Sequence, residues 1–118
     1  MRRASAGLRH LSLKTNALEK TVRFYTDVLG LEVAFRVRPK RVFLRWPGQD
    51  DLLDFVASKG KIHPTGGLDH FGISVSRADL KRVERRLKEN RVKIEGRRGR
   101  SSIYFRDPNR YWVEFYCD

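Results

Sequence analysis

The chain has 118 residues, enough for one domain with a modest core, and its 40% hydrophobic content predicts a globular protein. No apolar run approaches the ~20 residues of a membrane span, so we expect no membrane association. The net charge of +12 attracts anions, but Lys and Arg are spread along the chain, with local clusters at 36–41, 81–88 and 97–100. This distribution favours a solvated basic surface and argues against a nucleic-acid partner. A basic start without an apolar region and a single cysteine, Cys117, favour the cytoplasm.

The two halves of the chain repeat each other with an offset of 60 residues. LRHLSL at 8–13 is matched by LDHFGI at 68–73, and LLDF at 52–55 is matched by WVEF at 112–115. We therefore predict a single domain over 1–118, made of a module at 7–58, a Gly- and Pro-containing linker at 59–66 and a module at 67–118.

The first module predicts a strand, a helix and three further strands. Alternation in the first strand places His10 and Ser12 on the face opposite Leu11 and Leu13. The predicted helix is capped by Asn16, with a capping box to Glu19, and it ends at Gly30. Its apolar stripe is Leu18, Val22, Tyr25 and Leu29. The remaining strands are predicted at 31–37, 41–46 and 52–57.

The second module predicts the same order. A strand near 68–75 is followed by a helix capped by Ser76, with Leu80, Val83 and Leu87 facing the core. Strands are then predicted at 92–96, 101–105 and 111–116. The expected fold is therefore α+β, with two tandem βαβββ modules forming a curved mixed sheet and the helices on its convex side.

Each module carries a histidine and, 44 residues later, a carboxylate: His10 with Asp54, and His70 with Glu114. Asp54 and Glu114 alternate with apolar residues that face the helices, so both carboxylates should lie on the concave face with the histidines. Two imidazoles with one or two carboxylates suit a divalent metal such as Fe, Mn, Ni, Co or Zn. Tyr104, Arg106, Trp112 and Tyr116 are candidates to line the same face and contact substrate.

The chain resembles the vicinal oxygen chelate superfamily along nearly its whole length. LRHLSL followed by RFYTDVLGL at 23–31 looks like the opening strand of that family and its FY-x-x-x-LG-[LF] helix end. GLDHF at 67–71 looks like its second metal-binding strand. SIYFRDPN at 102–109 with VEF at 113–115 looks like its closing DP-[DN]-G-x-x-[IVL]-E segment, although Arg110 replaces the usual Gly.

The resemblance implies that His10, His70 and Glu114 are metal ligands and that the protein is a homodimer. Asp54 falls where glyoxalase I has Glu and methylmalonyl-CoA epimerase has Gln. We expect the shorter Asp54 side chain to act as a base or hydrogen-bond partner and not as a tight ligand. The resemblance leaves open whether the site lies within one chain or between subunits.

The resemblance leaves several functions open. The first is a metal-dependent enzyme acting on a small oxygen-chelating substrate, either a lyase or isomerase in which Asp54 and Glu114 are catalytic, or a dioxygenase. The alternatives are a fosfomycin-type thiol transferase and a protein that binds an antibiotic or another small molecule without a reaction, as bleomycin resistance proteins do.

Overall fold

The computed structural model describes residues 4–118 and contains two four-stranded mixed sheets. The first module comprises β1 (His10–Thr15), α1 (Leu18–Arg23) continued by a π-helical turn (Phe24–Val28), β2 (Glu32–Val37), β3 (Arg41–Arg45) and β4 (Leu52–Ala57). The second comprises β5 (Phe71–Ser74), α2 (Arg77–Glu89), β6 (Gly96–Arg98), β7 (Ser102–Arg106) and β8 (Trp112–Tyr116). The predicted tandem βαβββ order is confirmed. Within residues 4–118, no helix has both the length and the apolar character needed to cross a bilayer.

Both sheets have the same strand order. The first sheet runs β1-β4-β3-β2 and the second runs β5-β8-β7-β6. The first strand of each module pairs in parallel with the last, and the other neighbours are antiparallel. As a result, β1 and β5 are edge strands, and each presents an unpaired backbone edge.

The two modules share one hydrophobic core through the helix-facing sides of their sheets. The Tyr25 ring lies 5.1 Å from that of Phe55 in the first sheet, and the neighbouring Phe24 ring lies 6.3 Å from that of Phe105 in the second. Because the core occupies the helix-facing sides, the opposite side of each sheet, here called its open face, is left for function.

A buried polar network joins the modules beside this core. The Tyr25 hydroxyl donates to Asp107 at 2.8 Å, and the backbone amides of Asn109 and Tyr111 donate to the same carboxylate. The Thr15 hydroxyl donates to the Asn109 side chain. Burial raises the pKa values of both Tyr25 and Asp107. The Asp-Pro-Asn turn of the second module is thereby held against the first module.

The predicted cap of the first helix is wrong, whereas that of the second is confirmed. The first N-cap is Ala17, whose amide donates to the Thr15 hydroxyl at 3.0 Å, while the Asn16 side chain donates instead to the Gly60 carbonyl. Asn16 is used to tie the linker to the first module. The Ser76 hydroxyl caps α2 by accepting from the Asp79 amide at 3.1 Å.

The predicted strand at 92–96 is also wrong, because α2 ends in a turn that uses the first of these residues. The Val92 amide donates to the Leu87 carbonyl and the Arg91 amide to the Lys88 carbonyl, with Arg91 at φ 59°. This is the hydrogen-bond pattern of a Schellman motif. Backbone pairing with β7 begins when the Glu95 amide donates to the Tyr104 carbonyl at 2.8 Å, and β6 runs from Gly96 to Arg98.

Candidate metal centre

His70 and Glu114 meet on the open face of the second sheet. In the register of β5, β8 and β7, Glu114 lies between Gly72 and Tyr104. His70 immediately precedes β5 and shares a face with Gly72, two residues later. The His70 Nε2 atom lies 3.2 Å from Glu114 Oε1. Parallel pairing of the first and last strands brings together two residues that are 44 positions apart.

Asp69 orients the His70 ring. Its Oδ2 atom lies 2.7 Å from His70 Nδ1, which leaves Nε2 directed at Glu114. The hydrogen bond to Asp69 and, after it, that to Glu114 raise the pKa of His70. A metal-bound histidine almost always donates its other ring N–H to a carboxylate, a carbonyl or water, and Asp69 meets that requirement.

Aromatic side chains form a stack beside this pair. The Tyr104 ring lies 5.7 Å from the His70 ring and is stacked at 5.7 Å on Trp112. The Arg106 guanidinium lies over the Trp112 ring, 4.4 Å from its centroid. Tyr116 lies on the same face, with its ring beside Gly72. The four residues that the sequence nominated for substrate contact therefore lie on the same open face as Glu114, and Tyr104 is the one that contacts the His70 ring.

Two further residues determine the surroundings of the Glu114 carboxylate. Arg98 donates to Glu114 Oε2 at 3.0 Å, so each carboxylate oxygen has a partner. A Cβ atom at Gly72 would lie 3.2 Å from the Tyr116 ring and 3.4 Å from Glu114 Oε1. The absence of a side chain at Gly72 therefore preserves the space around Glu114.

The corresponding carboxylate of the first sheet is enclosed. Asp54 is 0% exposed, and its Oδ2 atom accepts hydrogen bonds from the Arg41 guanidinium and the Ser12 hydroxyl. Its Oδ1 atom has no hydrogen-bond partner among the described residues. Ser12 lies where the second module has Gly72. In the first module the Ser12 hydroxyl therefore covers the Asp54 carboxylate. In the second module Gly72 leaves space beside the Glu114 carboxylate.

His10 lies apart from the His70–Glu114 pair. It is exposed on β1 and is paired in register with Leu52 of β4. Residues 4–118 contain no group of three or more histidine, cysteine or acidic side chains placed to hold a metal ion. Two imidazoles and a carboxylate are donors that suit borderline divalent ions. One chain, however, brings together only two of the three predicted ligands.

The sequence interpretation omitted Asp69, Gly72, Arg98 and the pairing of Arg41 with Asp54. Asp69 had a local signal, since a carboxylate adjacent to a predicted ligand can orient it. Arg98 and Arg41 had none. Their contacts depend on which strands are neighbours in the sheet and on their register.

The family model for the Glyoxalase/Bleomycin resistance protein/Dioxygenase superfamily matches residues 7–115. The chain belongs to this superfamily.

Individual relatives show how broad that membership is. Metallothiol transferase FosB from Staphylococcus haemolyticus is 27% identical over 118 residues, covering 93% of this chain and 82% of the relative. An integron cassette protein from the mobile metagenome of a Halifax Harbour sewage outfall has a TM-score of 0.81 at 25% identity, covering 97% of this chain and all of that one. A mutant of the fosfomycin resistance protein FosX from Listeria monocytogenes, complexed with Mn(II) and a dihydroxypropylphosphonic acid, has a TM-score of 0.76 at 20% identity, with coverages of 97% and 93%. At that identity, FosX supports the fold alone.

Proposed function

We propose that the protein is a divalent-metal-dependent enzyme that acts as a homodimer. In this proposal His70 and Glu114 of one chain and His10 of the partner subunit hold the metal. The main support is the placement of His70 Nε2 3.2 Å from Glu114 Oε1, with Asp69 fixing the other ring nitrogen. The donor types and the orientation of the His70 ring would suit a metal site completed by one more ligand.

The cleft between the two modules supports the dimer. It has a volume of about 1020 Å³ and is lined by the start of β1, including His10, and by all of β5. Both strands have an unpaired edge, and Leu8 at the mouth of the cleft is 85% exposed. Unpaired edges and exposed apolar side chains favour association with a second chain. A two-fold contact there would place His10 of the partner subunit near β5, the strand that follows His70.

The reaction proposed is the transfer of a thiol to a small electrophile that carries oxygen ligands and negative charge. A bound metal would polarise an oxygen of the substrate. Arg106 and Arg98 carry positive charge near the site. Tyr104 and Trp112 form one aromatic side of it. In such a transfer the sulfur–carbon bond forms as a carbon–oxygen bond of an epoxide breaks, and the thiol proton ends on the released oxygen.

Two observations favour transfer over the lyase or isomerase alternatives. Asp54 already binds Arg41 and Ser12 and is enclosed, so it is poorly placed to act as a fourth ligand or as a mobile base. In addition, the 27% identical relative is a metallothiol transferase. A dioxygenase would use the same three ligands, and the matched superfamily includes dioxygenases.

A second candidate is binding without reaction. The stack of Arg106, Trp112 and Tyr104 offers a flat surface that could hold an aromatic or anionic molecule. Binding of such a ligand that is equally tight with and without metal would favour this candidate.

Mixing two inactive variants tests the shared site. We expect His10→Ala and Glu114→Ala each to lose Mn(II) binding when purified alone. A heterodimer of the two variants has two different sites. One site contains both substitutions. The other combines His10 from the Glu114→Ala chain with His70 and Glu114 from the His10→Ala chain, so it is intact. After subunit exchange, about one quarter of all sites should bind Mn(II) again.

Two results would count against the proposal. If the mixture binds no more Mn(II) than its components, the ligands do not come from different subunits. A sedimentation mass that stays at 13.9 kDa across micromolar concentrations, instead of about twice that value, would exclude the dimer. Thiol consumption with an epoxide phosphonate and Mn(II), lost in the Glu114→Ala variant, is the expected activity.

A further inference from the structure

The outer side of α2 carries a row of exposed cations. Leu80, Val83 and Leu87 bury one side of this helix in the core. Four exposed cations, separated by four, four and three residues, lie on another side at Arg77, Lys81, Arg85 and Lys88. Spacings of three and four residues keep side chains on one stripe of a helix. We call this set the α2 stripe.

Most of the α2 stripe is not engaged in ion pairs among the described residues. Among residues 4–118, only Lys88 of the stripe forms an ion pair, with Glu84 at 3.3 Å. Other cations of the helix are occupied elsewhere: Arg82 pairs with Asp79, and Arg86 donates to backbone carbonyls of the first module. Glu84 and Glu89 lie one helical turn from Lys81 and Arg85, but Glu84 is already paired with Lys88 and Arg97, so cations outnumber carboxylates along the stripe and its field is positive.

A shallow groove extends this field beyond the end of the helix. It has a volume of about 460 Å³ and is lined by cations and two aliphatic residues: Lys88, Arg91, Lys93, Arg97, Val92 and Ile94. The positive φ of Arg91 turns the chain back at the helix end and keeps Arg91 and Lys93 close to the stripe. Within the groove, Lys88 and Arg97 both pair with Glu84, whereas Arg91 and Lys93 add to the charge of the stripe. The stripe and the groove therefore form one continuous surface with an excess of cations.

We propose that this surface binds double-stranded nucleic acid through its phosphate backbone, without reading sequence. From Arg77 to Lys88 the helix rises about 16 Å at ~1.5 Å per residue. That length matches about five nucleotides of one strand at a rise of ~3.4 Å. Residues 77–97 include no aromatic side chain on which unpaired bases could stack, which favours a duplex over a single strand.

The surface is compatible with the proposed dimer but does not depend on it. The inter-module cleft is lined by Asp79, Arg82 and Arg86, which lie on a different side of α2 from the stripe. A dimer would present two stripes. The spread of charge over the whole chain argued against nucleic acid, and the charged face of this helix suggested solvent. The structure adds a row of exposed cations that continues into the groove.

The experiment measures fluorescence anisotropy of a labelled 24-base-pair duplex at salt concentrations from 50 to 200 mM. The test variant is Lys81→Gln/Arg85→Gln. The matched control is Lys59→Gln/Lys61→Gln, which removes two exposed charges from the linker. We expect the native chain to bind with a Kd of roughly 10⁻⁴–10⁻⁶ M near physiological salt. If each removed cation contacts one phosphate, the test variant should bind about 60-fold more weakly at 0.1 M salt, and its salt slope should be smaller by about 2.

Several outcomes would overturn the proposal. Equal weakening in the control would mean that overall charge, and not the α2 stripe, attracts the duplex. No binding by the native chain at 50 mM salt would remove the proposal altogether. Tighter binding to vesicles rich in phosphatidylserine than to the duplex would identify the surface as a membrane contact. Mn(II) binding should be unchanged in both variants. A negative result for duplex binding can therefore be distinguished from a negative result for the proposed metal site.

Discussion

Replacing Arg41 by Gln tests whether Asp54 is a partner in a buried ion pair and not a metal ligand. Asp54 is 0% exposed, and one of its oxygens receives both available donors, from Arg41 and Ser12. Arg41→Gln would leave the Asp54 carboxylate enclosed with only the Ser12 hydroxyl as a donor. Asp54→Asn would instead leave the Arg41 guanidinium, which can turn to water because its side chain is 35% exposed.

The two variants should therefore differ in stability. Removing one partner of a buried pair costs about 3–5 kcal/mol, and the partial exposure of Arg41 reduces this to about 2–3 kcal/mol. At roughly 3–5 °C per kcal/mol for a chain of this size, Arg41→Gln should lower Tm by about 10 °C. Asp54→Asn should lose about 1 kcal/mol, because a neutral amide is cheaper to bury than a carboxylate.

The assay combines thermal unfolding with calorimetric titration of Mn(II). The matched control is Arg45→Gln, which breaks the exposed pair with Glu32, at side-chain exposures of 48% and 46%. It should cost less than about 1 kcal/mol. Asp54→Asn should retain nearly the native Mn(II) affinity, whereas Glu114→Gln should lose more than about tenfold. If the two lost affinity equally, Asp54 would be a fourth ligand and the lyase or isomerase alternative would regain support.

Three further predictions follow from individual contacts. In metal-free protein, Asp69→Asn should lower the pKa of His70 towards its ordinary value, because the Asp69 hydrogen bond is the main cause of its elevation. The pair stabilises the fold fully below a pH of about 6.5, and that contribution is lost as the pH rises through the raised pKa. An NMR titration in which the His70 midpoint does not move would contradict this. Tyr25→Phe should lower the free energy of unfolding in denaturant by about 1.5–3 kcal/mol, because the Asp107 carboxylate loses a buried donor at 2.8 Å. A decrease below about 0.5 kcal/mol would show that other donors replace the Tyr25 hydroxyl. Arg110 has a φ of 72°, a left-handed conformation that glycine adopts without strain, so Arg110→Gly should stabilise the fold by about 0.5–1 kcal/mol. An unchanged or lower Tm would mean that the side-chain contacts of Arg110 outweigh the backbone strain.

Local patterns predicted most of the fold. Period-two alternation located β1 and β4, and the Ser76 cap with its apolar stripe located α2. The errors have two causes. Some side chains bond to partners that are distant in sequence, and some residues adopt a backbone conformation that their residue type does not predict. Asn16 looks like a cap but bonds to the linker, and Arg91 adopts a left-handed conformation that usually signals Gly.

Duplication explains why the site could be predicted only in part. A repeat places His10 and His70 at equivalent positions in two copies of one sheet, but it does not specify which copies face each other. In this fold the helix-facing sides of both sheets are used for the shared core, so the open faces of one chain do not meet around His70 and Glu114. The repeat therefore nominates residue types, and the packing of the modules leaves His10 apart from the His70–Glu114 pair. Under the proposed function, the third ligand comes from the partner subunit. Recovery of Mn(II) sites in mixed His10→Ala and Glu114→Ala dimers is informative for this reason: only a site divided between chains can be rebuilt from two chains that each lack a ligand.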